Sequence, residues 1–249
     1  MDLYTTDTNT IEMKKKAKIQ GLICDLPLNE GGGNKVFDKT GLTLTPAIVT
    51  SAELKTFTKG NCVYFAGPVA NKITIGKPSI LNLTSSPMTI SVWCYFTNLS
   101  GGVNSGYRYI ISDYNAAGNQ AQFAMQITNT QKLTFFWANS GTQAPNPTTG
   151  ASTQSVQTDK WYHLVVKKTG VSGSWATEIY INGLRDGGTS TSTNPCAQAS
   201  AGNVIIGQAG DYVGTPLGMV GYEQDLKIYN RGLTTNEIME LYIEGRNKY

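Results

Sequence analysis

The sequence predicts an all-β chain folded as a two-sheet antiparallel sandwich. Composition is the first observation behind this. Only 15% of the 249 residues are charged, 27 are glycine and 13 tyrosine, and Thr, Ser and Asn abound where helical Lys–Glu pairs would stand. The second is a series of about ten short strand-like runs separated by turn clusters. The third is that no strand–helix–strand alternation interrupts them. An apolar content of 40% excludes a disordered chain, and no run of about 18 apolar residues offers a membrane insertion segment. A chain this long buries a sizeable core without help from disulfides or metal.

Residues 1–18 are polar and without period, and are expected to be a flexible N-terminal arm; residues 19–249 form the expected single domain. The first strand pattern runs from Ile19 to Leu28, and Gly31-Gly32-Gly33 follows as a surface turn. No Gly-Lys-Ser/Thr comes after those glycines, so a phosphate loop is not indicated. Strands are then expected over Cys62–Phe65, Lys72–Ile75, Met88–Phe96, Tyr107–Ser112, Gln120–Thr128, Lys132–Trp137, Trp161–Lys168, Thr177–Asn182, Asn203–Ile206 and Asp225–Asn230. In the Met88 run, alternation places Met88, Ile90, Val92, Cys94 and Phe96 toward the core, and Thr89, Ser91, Trp93 and Tyr95 on the other face. Asn182-Gly183 marks a tight hairpin, because both residues tolerate positive φ. The one helix expected is short and C-terminal, over Thr234–Glu244, with Thr234 as N-cap, Glu237 completing a capping box and Gly245 ending it. Polar loops are expected at Thr97–Gly106, Asn139–Gln154 and Asp186–Gly202.

A single histidine, His163, rules out histidine-cluster metal sites, and its strand context reads as packing. The four cysteines, Cys24, Cys62, Cys94 and Cys196, lack zinc-ligand spacing and show no disulfide framework. The net charge of +3 is no nucleic-acid footprint, so no nucleic-acid partner is expected. Met1–Gln20 has no apolar core of a signal peptide, and the expectation drawn is a protein assembled in a host cytoplasm.

Several segments carry a resemblance in order and spacing. They are Gly21–Gly31 with Phe37–Gly41, Asn61–Phe65 with Ser79–Leu83, Met88–Trp93, Lys160–Val166, Ile179–Gly183 and Gly221–Leu233. Together they resemble laminin G-like jelly rolls of the concanavalin A-like lectin/glucanase superfamily, over about residues 19–244. The resemblance implies a jelly-roll sandwich, and among its functions lectins, adhesion modules, virion surface proteins and glucanases. It also implies calcium as the usual ion, with Asp113, Asn115 and Asp211 as candidate ligands. The glucanase branch needs a Glu-x-Asp-x-(x)-Glu strand. Here Glu223-Gln224-Asp225-Leu226-Lys227 puts lysine at the third acidic position, where it would lower neighbouring carboxyl pKa values. Alternation makes Glu223, Asp225 and Lys227 a solvated stripe, so the chain is expected not to be an enzyme.

Binding a neutral sugar calls for aromatic faces flanked by amides and carboxylates. The candidates are Tyr107, Tyr109, Tyr114, Asn115, Trp137, Asn139, Trp175 and Tyr212, whereas Trp93 and Trp161 read as packing residues. The expected function is a surface or binding protein, on a bacteriophage virion as a decoration or fibre-type protein with the arm as its tether. The alternative is a free or secreted carbohydrate-binding module outside the cell. Expected partners are other virion structural proteins or cell-surface glycans, and a homo-oligomer is compatible with both settings.

Overall fold

The computed structural model describes residues 20–43, 46–57, 60–68, 70–99, 107–115, 120–138, 150–171, 173–193, 202–209 and 218–248. The N-terminal arm and Cys196 lie outside these residues. Among the described residues there are seventeen strands: β1 (Leu22–Leu26), β2 (Lys35–Val36), β3 (Ala47–Thr50), β4 (Glu53–Phe57), β5 (Gly60–Ala66), β6 (Lys72–Gly76), β7 (Met88–Phe96), β8 (Arg108–Asn115), β9 (Gln120–Ile127), β10 (Lys132–Ala138), β11 (Gly150–Ser155), β12 (Trp161–Val171), β13 (Ser174–Ile181), β14 (Leu184–Arg185), β15 (Ser190–Ser192), β16 (Val204–Ile206) and β17 (Val220–Tyr229). The α-helix α1 (Thr235–Arg246) closes the described chain.

The strands form the two antiparallel sheets expected. The first has the order β14-β13-β12-β7-β17-β5-β4, with β1 also on β17 and β15 on β13; the second has the order β11-β10-β9-β8-β16-β6-β3-β2. Their facing sides enclose one core. Ile90, Val92, Cys94 and Phe96 of β7 enter it as the alternation requires, with Leu164, Val166 and Ile228 beside them and Phe123, Met125, Phe135 and Ile206 among those opposite. Strands β11 and β15 occupy parts of the segments expected as polar loops. Both lie at sheet margins, where ladder hydrogen bonds hold a chain whose side chains are mostly Ser, Thr and Gly.

The outer side of the first sheet is partly covered by α1. Thr234 caps it: its hydroxyl accepts from the Glu237 backbone N–H, and the Glu237 side chain accepts from the Thr234 N–H, completing the capping box. Arg231 grips the same carboxylate, holding it down at about 2. Gly245, expected to end the helix, lies within it, and Asn247 is the C-cap. The lack of a side chain at Gly245 serves packing, since a Cβ there would sit 2.3 Å from Trp93 Nε1. Ile238 and Leu241 bury a second small core with Val165, Tyr180, Tyr229 and Leu233. The Asn182-Gly183 turn forms as expected, with φ of 53° and 78°.

One expectation fails at β17. Opposite β7 the register runs from Gln224↔Trp93 to Lys227↔Ser91, so β17 carries one extra residue. Asp225 takes up that bulge at φ 50°. The bulge resets the alternation. Glu223 points inward with Leu226 and Ile228, and is fully buried instead of standing in a solvated stripe.

Candidate functional site

Four aromatic residues stand directly opposite one another on four neighbouring strands. Tyr64 of β5 pairs with Tyr222 of β17, Tyr222 with Tyr95 of β7, and Tyr95 with Trp161 of β12. Residues directly opposite in antiparallel strands project to the same face, here the outer face of the first sheet beyond the reach of α1. All four are half-buried, and the cross-strand steps of about 4.8 Å make the row about 14 Å long. Phe57, at the end of β4, lies along this ladder. Its ring is stacked on Tyr222 with centroids 4.1 Å apart and meets Tyr95 edge-on at 4.9 Å.

Polar groups rim the aromatic surface. Tyr95 donates its hydroxyl to Asp159 at 3.3 Å. Lys55 lies 4.4 Å over the Tyr64 ring and pairs with Glu53 at 2.6 Å. Burial pushes the Tyr95 and Tyr222 phenols upward, with Asp159 adding to the effect at Tyr95. Both therefore stay protonated, able to donate and accept hydrogen bonds. The surface offers apolar ring faces with hydroxyls at their edges.

The sequence candidates are distributed differently. Trp137 and Trp175 come together, with centroids 6.5 Å apart, but both are buried. The buried Lys168 ammonium lies 4.3 Å over Trp175 and 5.7 Å over Trp137, and donates to the Leu83 carbonyl at 3.0 Å. This is a packed cation between two indoles, so the two tryptophans offer no face to a sugar. Tyr109 is half-buried on the second sheet, edge-on to Phe136 at 6.3 Å, and Tyr107 stands half-buried just before β8; neither belongs to the ladder. Tyr114 and Asn115 continue β8, but their side chains lie outside the described residues, as do Asn139, Tyr212 and Asp211 entirely. Asp113, expected as a rim ligand for calcium, is wholly buried and accepts from Gln122. Among the described residues no group of three or more His, Cys, Asp or Glu could hold a metal ion.

A small cleft opens between the outer sheet face and α1, lined by Ser91, Trp93, His163, Asp225, Lys227 and Glu244 among others. His163 is packed there as expected, 2.8 Å from the Ser91 hydroxyl through Nε2. Burial drives its pKa down to about 3, so the ring is neutral. Lys227 and Lys248 at the mouth are paired with Asp25 and Asp225.

The family is decided by residues 69–239, which match the model described as the concanavalin A-like lectin/glucanases superfamily. The chain belongs to that superfamily. The jelly-roll sandwich expected from the resemblance is thereby shown. No curated protein matches the sequence. Among solved structures, the chain superposes on Trypanosoma rangeli sialidase in complex with sialic acid with a TM-score of 0.66 at 16% identity, covering 92% of this chain and 33% of that one. It superposes on the binding domain of Paraclostridial Mosquitocidal Protein 1 with a TM-score of 0.67 at 15% identity, covering 91% and 53%. With domain 4 of AbnA, a GH43 extracellular arabinanase from Geobacillus stearothermophilus in complex with arabinotriose, the TM-score is 0.58 at 16% identity, covering 89% and 98%. The chain thus spans about a third of the length of the sialidase it matches.

These likenesses are of fold. They nonetheless correct the expectation that the chain is not an enzyme, because about a third of a sialidase chain shares this fold. Nor does Lys227 hold the Glu223 carboxyl down as expected: Glu223 is buried, and desolvation raises its pKa well above the ordinary value.

Proposed function

We propose that the protein binds glycans, and that the Tyr64–Tyr222–Tyr95–Trp161 ladder with Phe57 is the binding surface. The observation that carries this reading is the cross-strand register that sets four half-buried aromatics in one row on a rigid sheet. A sugar ring has an apolar C–H face and a hydroxylated edge. Aromatic side chains with polar tips match both parts. Sheet strands also hold the rings in place before the ligand arrives, which keeps the ordering cost of binding low. The sugar complexes recorded for the sialidase and for the arabinanase domain agree with a glycan ligand for a chain of this fold.

Titration calorimetry against a glycan panel tests the proposal. Trp161→Ala and Tyr222→Ala should each weaken binding about tenfold or more, a loss of about 1.4 kcal/mol, with little change in melting temperature. Binding unaltered by both substitutions would show that the ladder is not the site. The virion setting rests on the arm at residues 1–18, and co-sedimentation of the full chain with particles is its test.

A further inference from the structure

We infer that the ladder selects uncharged oligosaccharides over acidic ones, an inference that rests on the ladder being the glycan site. On β4, Glu53 and Lys55 neutralise each other at 2.6 Å, and the Lys55 ammonium is further engaged over the Tyr64 ring. In the turn before β12, Asp159 accepts the Tyr95 hydroxyl, and its neighbour Lys160 donates to the Gln157 amide at 2.6 Å. The two acids and two lysines of this rim cancel.

Farther along the sheet face Lys167 and Arg185 share Glu178, while Lys227 pairs with Asp25 and Lys248 with Asp225. Glu223, the acid next to Tyr222, points into the core. A uronate or sulfate laid on this surface would lose water against aromatic rings. It would meet an adjacent acid, Glu53 or Asp159, for each lysine within reach. Taking a charge out of water without a partner is costly. A neutral hexose chain loses no such hydration, and presents C–H faces to the rings and hydroxyls to Asp159 and the tyrosine tips. A row about 14 Å long suits several consecutive sugars.

The experiment is a titration of the full chain with cellohexaose and mannohexaose on one side and hexagalacturonate on the other, at low and high sodium chloride. Expected is binding of at least one neutral hexasaccharide about tenfold tighter than hexagalacturonate. It should be lost in Trp161→Ala and change less than about twofold with salt, because screening acts on charge pairs. Glu53→Gln, which releases Lys55 from its ion pair, should raise hexagalacturonate affinity several-fold and leave the neutral ligand as it was. Hexagalacturonate binding as tight as the neutral ligands, sensitive to Trp161→Ala and weakened by salt, would overturn the inference and leave the ladder as a glycan site. An unchanged hexagalacturonate affinity in Glu53→Gln would also count against it. If no ligand binds in a way that depends on Trp161, the ladder reading itself fails, and the inference with it.

Discussion

Glu223 concentrates the physics of a buried charge in one side chain. Its carboxyl sits in the inter-sheet core in register with Cys94 and Val63, and both oxygens are buried without a hydrogen-bond partner. Desolvation raises its pKa well above 4.5, so the folded chain keeps a proton that the unfolded chain gives up. The unfolded state therefore binds fewer protons above pH 4.5, and stability falls as pH rises through that window. Each pH unit in the window costs about 1.4 kcal/mol until the folded carboxyl itself ionises. Glu223→Gln removes the ionisation and leaves the shape. Its melting temperature should exceed that of the parent near about pH 8 and converge with it near about pH 4, as read by circular dichroism. Parallel melting profiles across that range would mean that the carboxyl is not the source of the slope.

At the scale of elements, α1 is held by contacts that tolerate little change. Trp93 lies against the helix backbone at Gly245 and stacks on Tyr242 at 5.8 Å. Gly245→Ala, otherwise a helix-favouring change worth up to about 1 kcal/mol, should here push the helix off Trp93. A red shift of tryptophan emission and a lower melting temperature are expected, and a more stable variant with unshifted emission would contradict the packing. The helix was legible in the sequence, because Thr234 and Glu237 announce its start, but its end was not. Gly245 reads as a terminator, and only the facing Trp93 shows why a glycine stands inside the last turn. Strand β7 was legible through clean alternation. Strand β11, Gly150-Ala-Ser-Thr-Gln-Ser, was not, because its membership of a sheet comes from backbone pairing and not from apolar side chains. The bulge at Asp225 has neither Gly nor Pro to mark it, and one extra residue sends Glu223 to the opposite face. The ladder was the least legible feature. Tyr64, Tyr95, Trp161 and Tyr222 come from segments far apart in sequence, and each alone reads as an ordinary strand aromatic. Their shared surface exists only once four registers are set together.

For the whole molecule, β17 is the element on which the first sheet depends. It pairs with β7 and β5, and its C-terminal half also receives β1, so Leu22 meets Tyr229 across nearly the whole chain. Contacts of such sequence separation form late and slowly, since loop closure is paid before the pairing rewards it. Its inward residues Leu226 and Ile228 fill the main core, while its outward Tyr229 belongs to the small core under α1. The helix, by contrast, packs over that small core, Trp93, His163 and the Gly183 turn. Two truncations separate these roles. A chain ending at Leu233 retains every strand pairing and should still melt cooperatively, at a lower temperature, with Trp93 emission shifted to the red and glycan binding at the ladder preserved. A chain ending at Met219 loses the central strand of the first sheet and one ring of the ladder. It leaves β7 and β5 with unpaired edges facing each other, and buried apolar side chains such as Ile90 without their neighbour Ile228. It should show no cooperative unfolding transition and wide amide exchange across both sheets, because the two sheets share a single core and neither is stable alone. Cooperative melting of the shorter chain would show that the second sheet folds independently, and would replace the single core described here with two separable units.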